Sequence, residues 1–157
     1  MELAFRQVDV AAELRRLRTF DLQVFGPADA FPAAYWRQCE AWWMIVDGRR
    51  AGCCAFQRDM EFGDDLASGD QAADGVLYIS STGLLPKYRG QGLGHVMKAW
   101  QVAFARRNGF ARVVTNTRAG NAVMLALNER YGFRRIRVTD GYYLEPEEAT
   151  VVMELKL

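Results

Sequence analysis

Between an apolar run and a helical one, residues 84 to 97 read LLPKYRGQGLGHVM, with glycine at positions 90, 92 and 94. Glycine weakens a regular element by roughly 0.5–1 kcal/mol relative to alanine, so this density points to a need for bare backbone. One or two glycines satisfy a strand-to-helix turn. Three fit a row of main-chain N–H groups that meets an anion where a helix begins. Unpaired N–H groups and the positive end of the helix dipole both favour negative charge there. Arg89 adds a permanent cation with bidentate donors.

Spacing excludes two phosphate-binding alternatives. A dinucleotide fingerprint that starts at Gly90 puts His95 in the place of its last glycine, and the next strand ends in Thr115, Asn116 and Thr117 where an acid is needed. A P-loop requires G-K-[ST] to close the glycines, and the chain has none.

The flanking segments predict a mixed α/β order. ELAFRQV alternates as a strand, and Asp9 caps a helix that repeats Val10, Leu14 and Leu17. A short second helix begins near Pro32. Two strands follow around Asp47-Gly48, a dipeptide suited to hairpins. VLYISST is a strand into the glycines. Leu93 to Asn108 is a helix whose stripe is Leu93, Val96, Met97, Trp100, Ala103 and Phe104, with Lys98, Gln101, Arg106 and Arg107 elsewhere. Asn108-Gly109 ends it with a left-handed cap. RVVTNT is a strand, and NAVMLALNERY is a helix capped by Asn121 and stopped at Gly132. Phe133 to Val138 and Ala149 to Leu157 close the order β-α-α-β-β-β-α-β-α-β-β, one sheet with helices packed on it. The chain reads as a single domain over residues 1–157.

Half of the 157 residues are apolar, enough for a substantial core. The net charge of +1, from 20 basic and 19 acidic residues, gives no bulk attraction to nucleic acid or to membrane. Arg15, Arg16 and Arg18 read as a solvated helix face. Asp59, Glu61, Asp64, Asp65, Asp70 and Asp74 concentrate acid in one exposed loop between strands. Cys39, Cys53 and Cys54 form no disulfide framework, and no C-x-x-C spacing exists for a metal. Residues 1 to 25 lack the pattern of a signal peptide, and no stretch nears the roughly 20 apolar residues of a membrane span. A cytoplasmic location without a metal is the expectation.

Arg89-x-x-Gly92-x-Gly94 after an apolar strand resembles the pyrophosphate loop of the GNAT superfamily of acyl-CoA N-acyltransferases. NAVMLALNERYGF, residues 121 to 133, is similar to that superfamily's N-x-x-A-x-x-L-Y-x-x-x-G-F segment. The two motifs in this order, one helix and one strand apart, make a specific combination covering residues 76 to 138. The resemblance implies a splayed mixed sheet with helices on both faces, and acetyl-CoA as cosubstrate with its pantetheine arm between two diverging strands. The arm would run along Thr82, Gly83 and Leu84, and Gly83 within a strand favours a bulge or a close approach. Gly90, Gln91, Gly92, Leu93 and Gly94 would present N–H groups to the pyrophosphate beside Arg89. Asn121 would contact the pantetheine in addition to capping its helix.

Two positions depart from the family pattern. Where the family often has a tyrosine that protonates the departing thiolate, this chain has Asn128, an amide able only to hydrogen-bond to sulfur. With a thiol pKa of about 8.5, unprotonated departure costs only about 2 kcal/mol at pH 7. Tyr131 lies three residues on. Positions where some members carry a glutamate base hold Asn116 and Tyr78. A lysine amine needs roughly 4–5 kcal/mol to be neutral at pH 7 and an α-amine only about 1, which tilts the acceptor toward a low-pKa amine. The other route is water-mediated deprotonation through Tyr78, Ser80 or Glu61. Asn128 and Tyr78 are therefore the catalytic candidates, and Tyr35, Trp36 and Glu61 the substrate-binding ones. Tyr142 and Tyr143 either close the site or pack. The expected function is transfer of an acetyl group to a small-molecule or peptide amine by direct attack in a ternary complex. A non-catalytic acyl-CoA-binding module is the alternative, and a homodimer stays open as an assembly.

Overall fold

The computed structural model describes residues 1–58 and 75–157. The acidic stretch 59–74, including Glu61, lies outside the described residues. The elements run β1 (Leu3–Gln7), α1 (Val10–Phe25), α2 (Ala33–Trp36), β2 (Glu40–Val46), β3 (Arg49–Arg58), β4 (Val76–Leu84), a 3-10 turn (Pro86–Tyr88), α3 (Leu93–Arg107), β5 (Arg112–Arg118), α4 (Ala122–Arg130), β6 (Arg134–Leu144) and β7 (Glu147–Lys156). This is the order read from the sequence. The described strands form one seven-stranded sheet, β1-β2-β3-β4-β5-β7-β6. It is mixed: β4 and β5 pair parallel, while β1–β2, β2–β3, β5–β7 and β6–β7 pair antiparallel.

The chain divides into two compact units, Met1–Gln57 with Ser80–Met97, and Arg58–Ile79 with Lys98–Leu157. In the first, Asp9 accepts from the Ala12 N–H at 3.1 Å, and Glu13 reaches back to the Asp9 N–H at 3.0 Å, so α1 opens on reciprocal caps. Leu17 and Phe20 of α1 then bury against Trp36, Trp43 and Cys53, and Phe20 meets Trp43 edge-on at 5.5 Å. Pro32 precedes the single turn of α2, as its fixed φ favours. Asp47 and Gly48 both take positive φ, the geometry of a two-residue hairpin turn.

In the second unit the parallel register runs from Val76–Arg112 to Ile79–Thr115. Val76, Tyr78, Val114 and Val152 form a core patch there. Two expectations are corrected. The closing strands are longer than the alternation indicated, because a register shift between Thr139 and Tyr143, with Gly141 at φ 64°, breaks the period without ending β6. In α3, Lys98 and Gln101 are buried, at 1% and 0% exposure, whereas Val96 is exposed. The Lys98 ammonium lies 5.3 Å from the centre of the Phe133 ring, so an aromatic face receives a charge that the stripe had assigned to water.

Candidate functional site

The glycine loop has the conformation that glycine alone adopts cheaply: Gly90 and Gly92 lie at φ 73° and 81°. Leu93 is buried and anchors the start of α3. Gly92 accepts from the Val96 N–H at 3.3 Å, closing the first turn. Among the described residues, the main-chain N–H groups of Gly90 through Gly94 donate to no protein acceptor. Arg89 braces the loop, with Nε donating to the Leu84 carbonyl at 3.1 Å and Nη2 to that of Val24 at 3.4 Å. Its guanidinium is exposed and keeps further donors. The Gln91 side chain donates to the Lys87 carbonyl at 3.0 Å, leaving its main chain for other partners.

Upstream, Gly83 has a packing reason that the sequence signalled only as a close approach. A Cβ there would stand 2.9 Å from Val24 Cγ1 and 3.2 Å from Phe25 Cε2, so the end of α1 presses on β4 at this point. Gly52 does the same from β3, where a Cβ would meet the Gly83 carbonyl oxygen at 2.8 Å. Thr82 and Leu84 flank this contact and are half-buried.

In the second unit the two positions without a carboxylate are bonded to each other. The Tyr78 hydroxyl donates to Asn116 Oδ1. Asn116 Nδ2 in turn donates to Thr150 Oγ1 at 3.0 Å and to the Tyr143 hydroxyl at 3.4 Å, and Thr150 donates to the Thr117 carbonyl at 3.2 Å. Tyr143 is held by Tyr142, edge-on at 4.9 Å, and by Arg118, whose guanidinium lies 4.2 Å from its ring centre. Tyr142 and Tyr143 thus belong to β6 rather than to a loop between strands. Asn121 caps α4 by accepting from the Met124 N–H at 3.1 Å.

Asn128 is only 1% exposed, and its Nδ2 donates to a sulfur of the chain itself, Met153 Sδ, at 3.6 Å. The amide packs between α4 and β7, and among the described residues its Oδ1 has no hydrogen-bond partner. Tyr131 becomes the C-cap of α4.

In the first unit, Tyr35 and Ser80 are joined through a residue that the sequence did not single out. Gln57 Oε1 accepts from the Tyr35 hydroxyl at 3.0 Å and from Ser80 Oγ at 3.2 Å. A glutamine at the end of a strand carries no motif, so only the fold identifies it. Trp36, by contrast, is a core residue at 1% exposure, packed edge-on against Phe31 at 5.5 Å. Burial also shifts nearby groups toward their neutral forms. It raises the Cys39 thiol to about 11 and lifts the Asp21 carboxyl above its ordinary value, even though the Phe31 N–H donates to that carboxylate.

This mixed sheet with its helices matches the fold of solved N-acetyltransferases. The ribosomal-protein-S18-alanine N-acetyltransferase of Escherichia coli matches with a TM-score of 0.79 at 17% identity, over 99% of this chain and 94% of that one. Arabidopsis thaliana NAA60, solved with a bisubstrate analogue, matches at 0.78 and 18%, over 99% and 98%. A Bacillus subtilis acetyltransferase in complex with CoA matches at 0.78 and 14%, over 99% of both chains. A search of curated protein sequences gave no significant match. The sequence model of the acetyltransferase (GNAT) family covers residues 11–133, and the chain belongs to that family.

Proposed function

We propose that this protein transfers an acetyl group from acetyl-CoA to a primary amine by direct attack in a ternary complex. The observation that carries the reading is the row of N–H groups from Gly90 to Gly94, which donate to no acceptor among the described residues at the start of α3. Such a row suits a diphosphate, and Arg89 supplies the adjacent charge. Main-chain groups of Thr82, Gly83 and Leu84 serve the pantetheine, and an N–H near Leu84 polarises the thioester carbonyl. Asn121 adds a contact while capping α4.

The amine must shed a proton as it attacks. The Tyr78 hydroxyl gives its hydrogen to Asn116, and its oxygen is the acceptor in this reading, taking the proton from the amine directly or through an intervening water. This favours an amine of low pKa, such as an α-amine on a small molecule or a peptide, because no strong base is needed. With Asn128 turned into the core, the thiolate departs without a dedicated acid.

Calorimetry with CoA tests the clamp. Arg89→Ala should weaken binding about 10–100-fold, the worth of a charge-assisted contact. Equal affinity in both proteins refutes it. Release of CoA thiol from acetyl-CoA with a panel of amines and amino-terminal peptides then tests the chemistry. Tight binding without turnover on any amine would favour a non-catalytic acyl-CoA-binding module, the reading that the burial of Asn128 supports.

A further inference from the structure

The first unit contains a second feature that acetyl transfer does not use. Along α1, the face carrying Arg15, Thr19 and Gln23 overlooks β1, β2 and the β2–β3 hairpin across a cavity of ≈ 850 Å³. Five arginines line it: Arg6 from β1, Arg15 and Arg16 from α1, and Arg49 and Arg50 from the strand after the turn. Ile45 and Leu85 supply an apolar wall.

Counter-charge is scarce. Glu13 accepts from Arg6 at 3.1 and 3.4 Å and stands 3.9 Å from Arg16. Asp47, at the hairpin turn, accepts from the Glu2 N–H at 2.8 Å. Among the described residues Arg15, Arg49 and Arg50 have no carboxylate partner. Glu13 and Asp47 against five guanidiniums leave three positive charges in excess around the cavity. A uniformly solvated helix face explains Arg15 and Arg16 but not their convergence with arginines from two other elements.

The groove is also held in shape. Trp43 of β2 donates its indole N–H to Glu13 at 3.2 Å, which ties α1 to the sheet, and Arg50 lies 5.4 Å over the same indole ring. Two of the five guanidiniums, Arg6 and Arg50, are thus oriented before any ligand arrives.

We infer that this groove binds a small organic polyphosphate, of nucleotide size, at a site separate from the Gly90–Gly94 loop. Guanidinium forks match phosphate oxygens two at a time, and several around one cavity match a chain of phosphates. The volume lies within the range of small-ligand pockets, and the Ile45 and Leu85 wall receives an uncharged portion while Thr19 and Gln23 offer hydrogen bonds. An acidic peptide presents single charges spread along an extended chain, a poorer match to a compact ring of forks.

The test is calorimetry on the full chain with ATP, with inorganic triphosphate and with a poly-glutamate peptide, each in the presence of saturating CoA. The comparison is the Arg15→Gln/Arg49→Gln double variant, which touches neither the caps of α1 nor the glycine loop. ATP should bind the wild type more tightly than triphosphate does. The variant should bind ATP at least tenfold more weakly, with CoA affinity and melting temperature unchanged. Wild-type affinity should fall as salt is raised. No heat with either phosphate, equal affinity in the variant, or binding of poly-glutamate in preference to ATP would each overturn the inference. Loss of CoA binding by the wild type would bear on the acetyl-transfer reading alone.

Discussion

Replacing Glu13 by alanine should cost this protein about 3 kcal/mol, for reasons that can be separated. The side chain is 8% exposed and accepts from three directions: the Arg6 guanidinium, the Asp9 main chain and the Trp43 indole. Trp43 is fully buried, and stranding its N–H costs about 1–3 kcal/mol. Losing the reciprocal cap at Asp9 removes about 0.5–1 kcal/mol. The Arg6 pair contributes only about 0.2–1 kcal/mol, because Arg6 is half exposed. Urea unfolding at pH 7, followed by circular dichroism, measures the total. A double-mutant cycle with Trp43→Phe isolates the indole bond, since Glu13→Ala in that background should cost about 1–2 kcal/mol less. A coupling below about 0.5 kcal/mol would refute the idea that Glu13 fastens α1 to β2. Acid titration gives a further check. The Arg6 guanidinium, ahead of the opposing effect of burial, holds the Glu13 carboxyl below its ordinary value of 4.5. A depressed pKa stabilises the fold above that ordinary value and ceases to do so as pH falls through the folded one. The stability gap between wild type and Glu13→Gln should therefore shrink as the pH is lowered from 5.

Gly52→Ala should lower stability by about 1–3 kcal/mol in a thermal melt, because the new Cβ would sit 2.8 Å from the Gly83 carbonyl, backbone that yields poorly. A melting temperature within a degree of wild type would remove the close approach of β3 and β4. The three cysteines are buried, and burial lifts the Cys39 thiol to about 11 and Cys53 well above its ordinary value. The native protein at pH 7 should therefore resist a thiol-specific alkylating reagent and take up three equivalents once unfolded; rapid native labelling would contradict that packing.

The local signals in the chain had local meanings. Gly90 and Gly92 carry φ values that disfavour a side chain, Asp9 and Asn121 cap by accepting an N–H three residues on, and Asp47-Gly48 turns a hairpin; each depends on neighbours in sequence, so each could be read there. The family resemblance added acetyl transfer and the places of Tyr78, Asn116 and Asn128. What those side chains meet was decided by strands far apart in the chain. Asn128 donates to Met153, Tyr78 and Asn116 bond across a parallel pair, and Gln57 collects Tyr35 and Ser80 without any motif of its own. The same holds for Arg6, Arg15 and Arg49: along the chain they are scattered surface charges, and only the sheet and α1 bring them to one cavity. Backbone conformation is set by the residue and its immediate neighbours, whereas hydrogen-bond partners and local charge density depend on distances in space. Sequence separation does not encode those until the sheet has set its register.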